Sequence, residues 1–147
     1  MINNYLLVGI IWIAFIAMAF WESSVEGRKA GNRGKIGFKI RFLGKNYVTR
    51  YHFFLFYIML PVFIYLPLII YGWNLKLFGV LLSAHFSGVI IEDFAWFLVN
   101  PKINIKRDFT PKFVNYYPWI KIGKIYIPVY YFIDLGIAFC SWFFIWR

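Results

Sequence analysis

Long apolar runs separated by polar, basic stretches dominate the chain. Crossing the hydrocarbon of a membrane as a helix takes about 20 mostly apolar residues. Four runs meet that requirement, at roughly residues 5–21, 51–73, 77–99 and 125–146. They are continuous rather than alternating, and backbone in lipid must satisfy its own hydrogen bonds. Helices are therefore expected and a membrane β-barrel is not. The pattern predicts an all-α integral membrane protein, residues 1–147 forming a single membrane domain. Ala17-Met18-Ala19 matches a small-x-small cleavage pattern, but no Lys or Arg precedes the first run. It is read as a retained helix and not as a signal peptide.

Pro61 and Pro67 fall inside the second run and are expected to kink it, whereas Pro128 falls in the first turn of the fourth, where proline is tolerated. Asn100-Pro101 reads as the stop of the third helix. Between the first two runs, Lys35 to Thr49 alternates apolar and polar residues around Leu43-Gly44-Lys45-Asn46, which predicts a small hairpin or extended segment on the membrane surface. Ile103 to Ile127 mixes basic and aromatic residues, broken by Pro111 and Pro118.

Composition sharpens this picture. The chain is 62% apolar and 24% aromatic, with only 15% charged residues. Soluble domains usually carry about a quarter charged residues, so a disordered chain, a collagen-like chain and an ordinary soluble enzyme are excluded. Cys140 is the one cysteine, which excludes an intramolecular disulfide and a multi-cysteine zinc site.

Charge sets the expected orientation. Sixteen Lys and Arg stand against six Asp and Glu. The basic residues gather in loops at about residues 22–50 and 100–124, the first of which holds Arg28, Lys29, Arg33, Lys35, Lys39 and Arg41. Basic loops between apolar spans mark the cytoplasmic side. The expectation is a four-helix, antiparallel up-down bundle in the cell membrane, with short cytoplasmic loops and both termini outside. Those six residues are candidates for holding anionic lipid headgroups. Loops held at an inner leaflet face lipid, so no nucleic-acid partner is expected. A homo-oligomer or a larger membrane complex fits the small extramembrane mass.

The acids carry the candidate chemistry. A charge at mid-bilayer costs about 2.5–3.5 kcal/mol on insertion scales, so each needs a partner or a role. Glu22, Glu92, Asp93 and Asp134 lie within the runs or at their ends, and His52 and His85 lie on the second and third. Every run thus brings an ionisable group toward the inner leaflet. His85 and Glu92 are seven residues apart on one helix face with Gly88 opening space between them, and Asp134 counts to a similar depth. His85, Glu92 and Asp134 are therefore expected to face one another as ligands or proton carriers, with Asp93, His52 and Glu22 next. Carboxylates and imidazoles on several helices are a ligand set for zinc, iron or manganese. The possible metal ligands are His85, Glu92, Asp134, Glu22 and Glu26, the last two sharing a face only if the first helix continues past the interface. Two functions follow: a bundle enclosing a carboxylate–histidine site for a divalent metal, a proton or the polar headgroup of a lipid-soluble ligand, or an accessory subunit whose buried polar pairs are purely structural. Gly79, Ser83 and Ser87 form a small-residue stripe suited to close helix packing.

Overall fold

The computed structural model describes residues 3–29, 40–42, 46–48 and 50–147. It is mostly helical, and four helices are long and apolar enough to cross a membrane: α1 (Asn4–Glu26), α2 (Arg50–Ile70), α3 (Leu75–Val99) and α5 (Val129–Trp146). A short helix, α4 (Ile105–Asp108), lies between α3 and α5. Strands β1 (Ile40–Phe42) and β2 (Asn46–Val48) pair antiparallel, as the alternation around Gly44 predicts. A second hairpin, β3 (Trp119–Ile122) with β4 (Ile125–Pro128), takes residues that the apolar count had assigned to the start of the fourth helix. Ile120-Lys121-Ile122 and Ile125-Tyr126-Ile127 alternate around Gly123-Lys124, and Gly123 supplies the positive φ of 60° that a two-residue turn needs. The chain is therefore helical with two small hairpins, not purely helical, and α5 begins at Val129 instead of Ile125.

Local chemistry explains the helix ends. Asn3 and Asn74 cap α1 and α3 by accepting backbone N–H bonds, from Tyr5 at 2.9 Å and from Leu77 at 2.8 Å. Gly27, with φ 59°, closes α1 and donates its N–H to the Ser23 carbonyl at 3.0 Å. Asn100 closes α3 before Pro101. In α2 the stretch Phe53–Met59 is π-helical, with the Leu60 N–H bonded back to Leu55. Pro61 follows directly, and its ring cannot approach the carbonyl four residues earlier, so the wider turn relieves that clash.

Packing centres on α3, the most buried of the four long helices, while α2 is the least buried. Val8 of α1 packs with Val80 and Ala84, Phe15 with Ile64 and Leu81, and Ala19 with Trp96 and Phe97. The small-residue stripe works in two directions. The Ser83 hydroxyl donates to the Ala138 carbonyl and Ser141 donates to the Gly79 carbonyl, each at 2.8 Å, tying α3 to α5. A β-carbon on Gly79 would come within 2.6 Å of the Ile145 side chain. Ser87 instead accepts from the Trp12 indole of α1 at 2.8 Å. Large apolar side chains such as Ile13, Phe63, Ile69 and Phe144 point outward. Outward apolar faces on helices of this length suggest a membrane protein.

Candidate metal centre

The last turn of α1, the first turn of α2 and the lower half of α3 meet at one place. α1 continues past the apolar run to Glu26, so Glu22 and Glu26 stand one turn apart on one buried face. Ser23 and Ser24 bond back to the Phe20 carbonyl and satisfy themselves within the helix. Tyr51 and His52 open α2 against that face. The His52 Nε2 lies 3.7 Å from Glu22 Oε1 and 3.6 Å from Glu26 Oε1. One ligand atom from each of Glu22, Glu26 and His52 falls within 4.8 Å of the others, and such a group could hold a metal ion. The Tyr51 hydroxyl donates to the same two oxygens, those of Glu22 and, at 2.9 Å, Glu26. One hydroxyl hydrogen cannot serve two acceptors at full strength. The His52 ring is held between Tyr51 and Phe56, with centroids 4.1 and 5.8 Å away.

Glu92 of α3 approaches from the other side. Its carboxyl meets that of Glu22 and it is only 3% exposed. Among the described residues, its Oε1 has no hydrogen-bond partner, nor has Nε1 of Trp96, one turn further along α3. Asp93, the next residue, faces α5 and the loop before it. It accepts from the Tyr131 hydroxyl at 2.5 Å and from Tyr117 at 3.4 Å.

His85 and Glu92 have partners other than one another. His85 Nδ1 pairs with the Tyr65 hydroxyl of α2 at 3.2 Å and the ring stacks on Phe15. The space beside Gly88 that was to join His85 to Glu92 is filled by the Phe15 ring of α1. Asp134 is half-buried on α5. Because α5 starts at Val129, Asp134 also stands closer to its helix start than a count from Tyr126 implies. Among the described residues, the compact group is Glu22, Glu26 and His52, and His85 and Asp134 are not part of it.

Comparison with known protein families, characterised proteins and solved structures finds no match. The chemistry of the site therefore rests on its own residues.

Below the ligand group the two basic loops are joined. Asn100 Nδ2 donates to the Gly27 carbonyl at 2.6 Å, and Arg28 donates to the Lys102 carbonyl at 2.9 Å. Arg28 also pairs with Asp108 at 3.2 Å, and Arg107 pairs with it at 2.7 Å. Asp108 further accepts the Asn104 N–H at 2.9 Å. The Arg107 hydrogen bonds, with help from Asn104 and Arg28, hold the Asp108 carboxyl well below the usual carboxylate range against the opposing effect of its burial. Among the headgroup candidates, Arg28 is committed to this clamp and Lys29 is exposed. Arg33, Lys35 and Lys39 lie outside the described residues, and of Arg41 only the strand backbone is described.

The sequence pattern ranks Glu22 and His52 behind His85 and Asp134 and gives Tyr51 no part in the site. A signal was present: two glutamates four residues apart at the end of one apolar run, and a histidine at the start of the next. Both flank the same basic loop.

Proposed function

We propose that this chain is an integral membrane protein that binds a divalent transition-metal cation at Glu22, Glu26 and His52. The observation that carries this reading is the convergence of two carboxylates and an imidazole within 4.8 Å at the junction of α1 and α2. Oxygen and nitrogen donors of this kind suit zinc, manganese or iron. The buried, unpartnered oxygen of Glu92 beside Glu22 supports it, since buried acceptors without partners call for a proton, water or cation.

The wider reading is a single domain with the four helices as an antiparallel up-down bundle. It is supported by the order of contacts. Val8 meets Val80 and Gly27 meets Asn100, advancing together along α1 and α3. Gly79 meets Ser141 and Asp93 meets Tyr131, in opposite senses along α3 and α5. Arg28 joined to Asp108 puts both basic loops at one end, in keeping with a cytoplasmic placement in the cell membrane. Anionic headgroups of the inner leaflet, held by Arg28, Lys29 and their neighbours in the loop, then surround the metal centre. An apolar groove of about 350 Å³ between α1, α2 and α3, lined by Leu7, Ile11, Phe15, Leu60 and Ile64, is open to a lipid-soluble ligand.

Titration of the purified protein with Mn²⁺ and Zn²⁺ by calorimetry tests the metal site. Binding is expected in the native protein and a loss of at least about tenfold in His52→Ala and Glu22→Gln. Absence of binding would leave the second reading, a structural subunit of a larger complex. That reading is favoured by the Tyr51 hydroxyl, which bonds both glutamates without an ion. Tyr51→Phe separates the two: it leaves metal affinity intact or raised if the carboxylates are ligands, and only destabilises the protein if they are structural.

A further inference from the structure

We infer that Glu22 bridges two cation positions, and that Glu92 is a ligand of the second. This deepens the reading of the Glu22, Glu26 and His52 group and rests on it. The Glu22 carboxyl has two neighbourhoods. Toward α2 it meets Tyr51 and His52, beside Glu26. Toward α3 it meets the carboxyl of Glu92. Glu92 is not part of the compact group whose atoms lie within 4.8 Å of one another, so an ion centred among Glu26 and His52 does not satisfy it.

Two carboxylates in contact repel unless a proton or a cation lies between them. Glu92 sits at 3% exposure, and among the described residues no donor serves its Oε1, so a proton or a cation is called for there. Trp96 carries the complementary signal. Its Nε1–H, 5% exposed as a residue, is a donor with no acceptor. Indole nitrogen cannot ligate a metal, but its N–H can donate to a water or anionic oxygen bound to one. An unpartnered acceptor and an unpartnered donor one helical turn apart thus frame a position for a cation carrying an oxygen ligand. Asp93 does not compete for it, because its carboxylate is engaged by Tyr131 and Tyr117. Carboxylate-bridged pairs place two ions about 3.5–4 Å apart. Mn²⁺ suits both positions, since it accepts carboxylate oxygen and imidazole alike.

The test uses the full chain in lipid nanodiscs with Mn²⁺ as the probe. Equilibrium dialysis with elemental analysis counts bound ions, and electron paramagnetic resonance reads whether they are coupled. The wild type is expected to hold two Mn²⁺ per chain with an exchange-coupled spectrum. Glu92→Gln should hold one, with the six-line spectrum of an isolated ion. Trp96→Phe, which keeps the ring packing and removes the N–H, should weaken the second ion several-fold and leave the first unchanged. A single, uncoupled Mn²⁺ in the wild type would overturn the proposal and assign a shared proton to Glu22 and Glu92, while the first site would stand. No bound Mn²⁺ at all would remove both. The wild-type spectrum decides the matter even where a variant fails to fold.

Discussion

Glu92 and Asp93 are neighbours in the chain and opposites in their surroundings. Asp93 turns toward α5 and meets phenolic hydroxyls, from Tyr131 at 2.5 Å and Tyr117 at 3.4 Å, so its oxygens are occupied within the protein. Glu92 turns toward α1, meets another carboxyl, and keeps one oxygen without a partner. The helix rotates about 100° between adjacent residues, which is enough to present the two acids to different helices. An acid in an apolar span is commonly taken as a functional signal. The pair teaches that its partners decide: hydroxyl donors satisfy Asp93 within the protein, and a facing carboxyl leaves Glu92 in need of a proton or a cation.

The contrast can be broken in several ways. The largest effect expected is from metal. At a Mn²⁺ concentration 100 times its Kd, linkage raises stability by about 2.7 kcal/mol. Thermal unfolding should show this gain in the wild type and in Asp93→Asn, and no more than about 1.4 kcal/mol of it in Glu22→Gln, whose affinity is at least about tenfold lower. A gain lost in Asp93→Asn would place Asp93 in the site. Next, without added metal, Asp93→Ala should cost about 2 kcal/mol, because the Tyr131 hydroxyl loses its acceptor. Glu92→Gln should cost less than Asp93→Ala, as its amide can donate to the Glu22 carboxylate it faces. Denaturant unfolding in detergent measures both, and equal losses would erase the distinction between the two faces.

The α1 face can also be probed through its packing. Gly88→Ala forces a β-carbon against the Phe15 ring and should cost about 1–3 kcal/mol. Gly9→Ala on α1 meets nothing within 4 Å and should be neutral or stabilising by about 0.5–1 kcal/mol. The smallest effect expected lies in the loops. The folded pKa of Asp108 is depressed, so its contribution is complete above the unfolded value near about 4 and is lost as pH falls through the lower folded value. Hydrogen-exchange protection of Asn104 and its neighbours should therefore hold from neutral pH down to about 4 and decline below it. Asp108→Asn should weaken that protection at neutral pH. The partly exposed arginines around Asp108 are screened by solvent, which keeps the effect small.

Much of the fold was legible. The four spans, the Asn100-Pro101 stop and the β1–β2 hairpin follow from local pattern, because hydropathy, capping and turn chemistry act over a few residues. The start of α5 was not, although Ile120 to Ile127 alternates around Gly123-Lys124, because a count of apolar residues does not separate a β-branched hairpin from a helix. The candidate site was legible only in part. Glu22, Glu26, His52 and Glu92 could be named as ionisable groups near one end of the spans. Gly88 marks open space on α3 in the sequence, and only the packing of α1 shows that the Phe15 ring takes it.

The sequence by itself determined the membrane-helical class, the Asn100-Pro101 stop of α3 and the concentration of acids and histidines toward the basic loops. Each depends on composition within a single segment. Tertiary structure alone decided which acid meets which partner on another helix or loop: Glu22 with His52 and Glu92, Asp93 with the tyrosines, and likewise His85 with Tyr65. That choice depends on the rotation and axial offset of one helix against another. Those are set by contacts such as Phe15 against Gly88 and Ser141 against Gly79, between residues more than sixty positions apart in the chain.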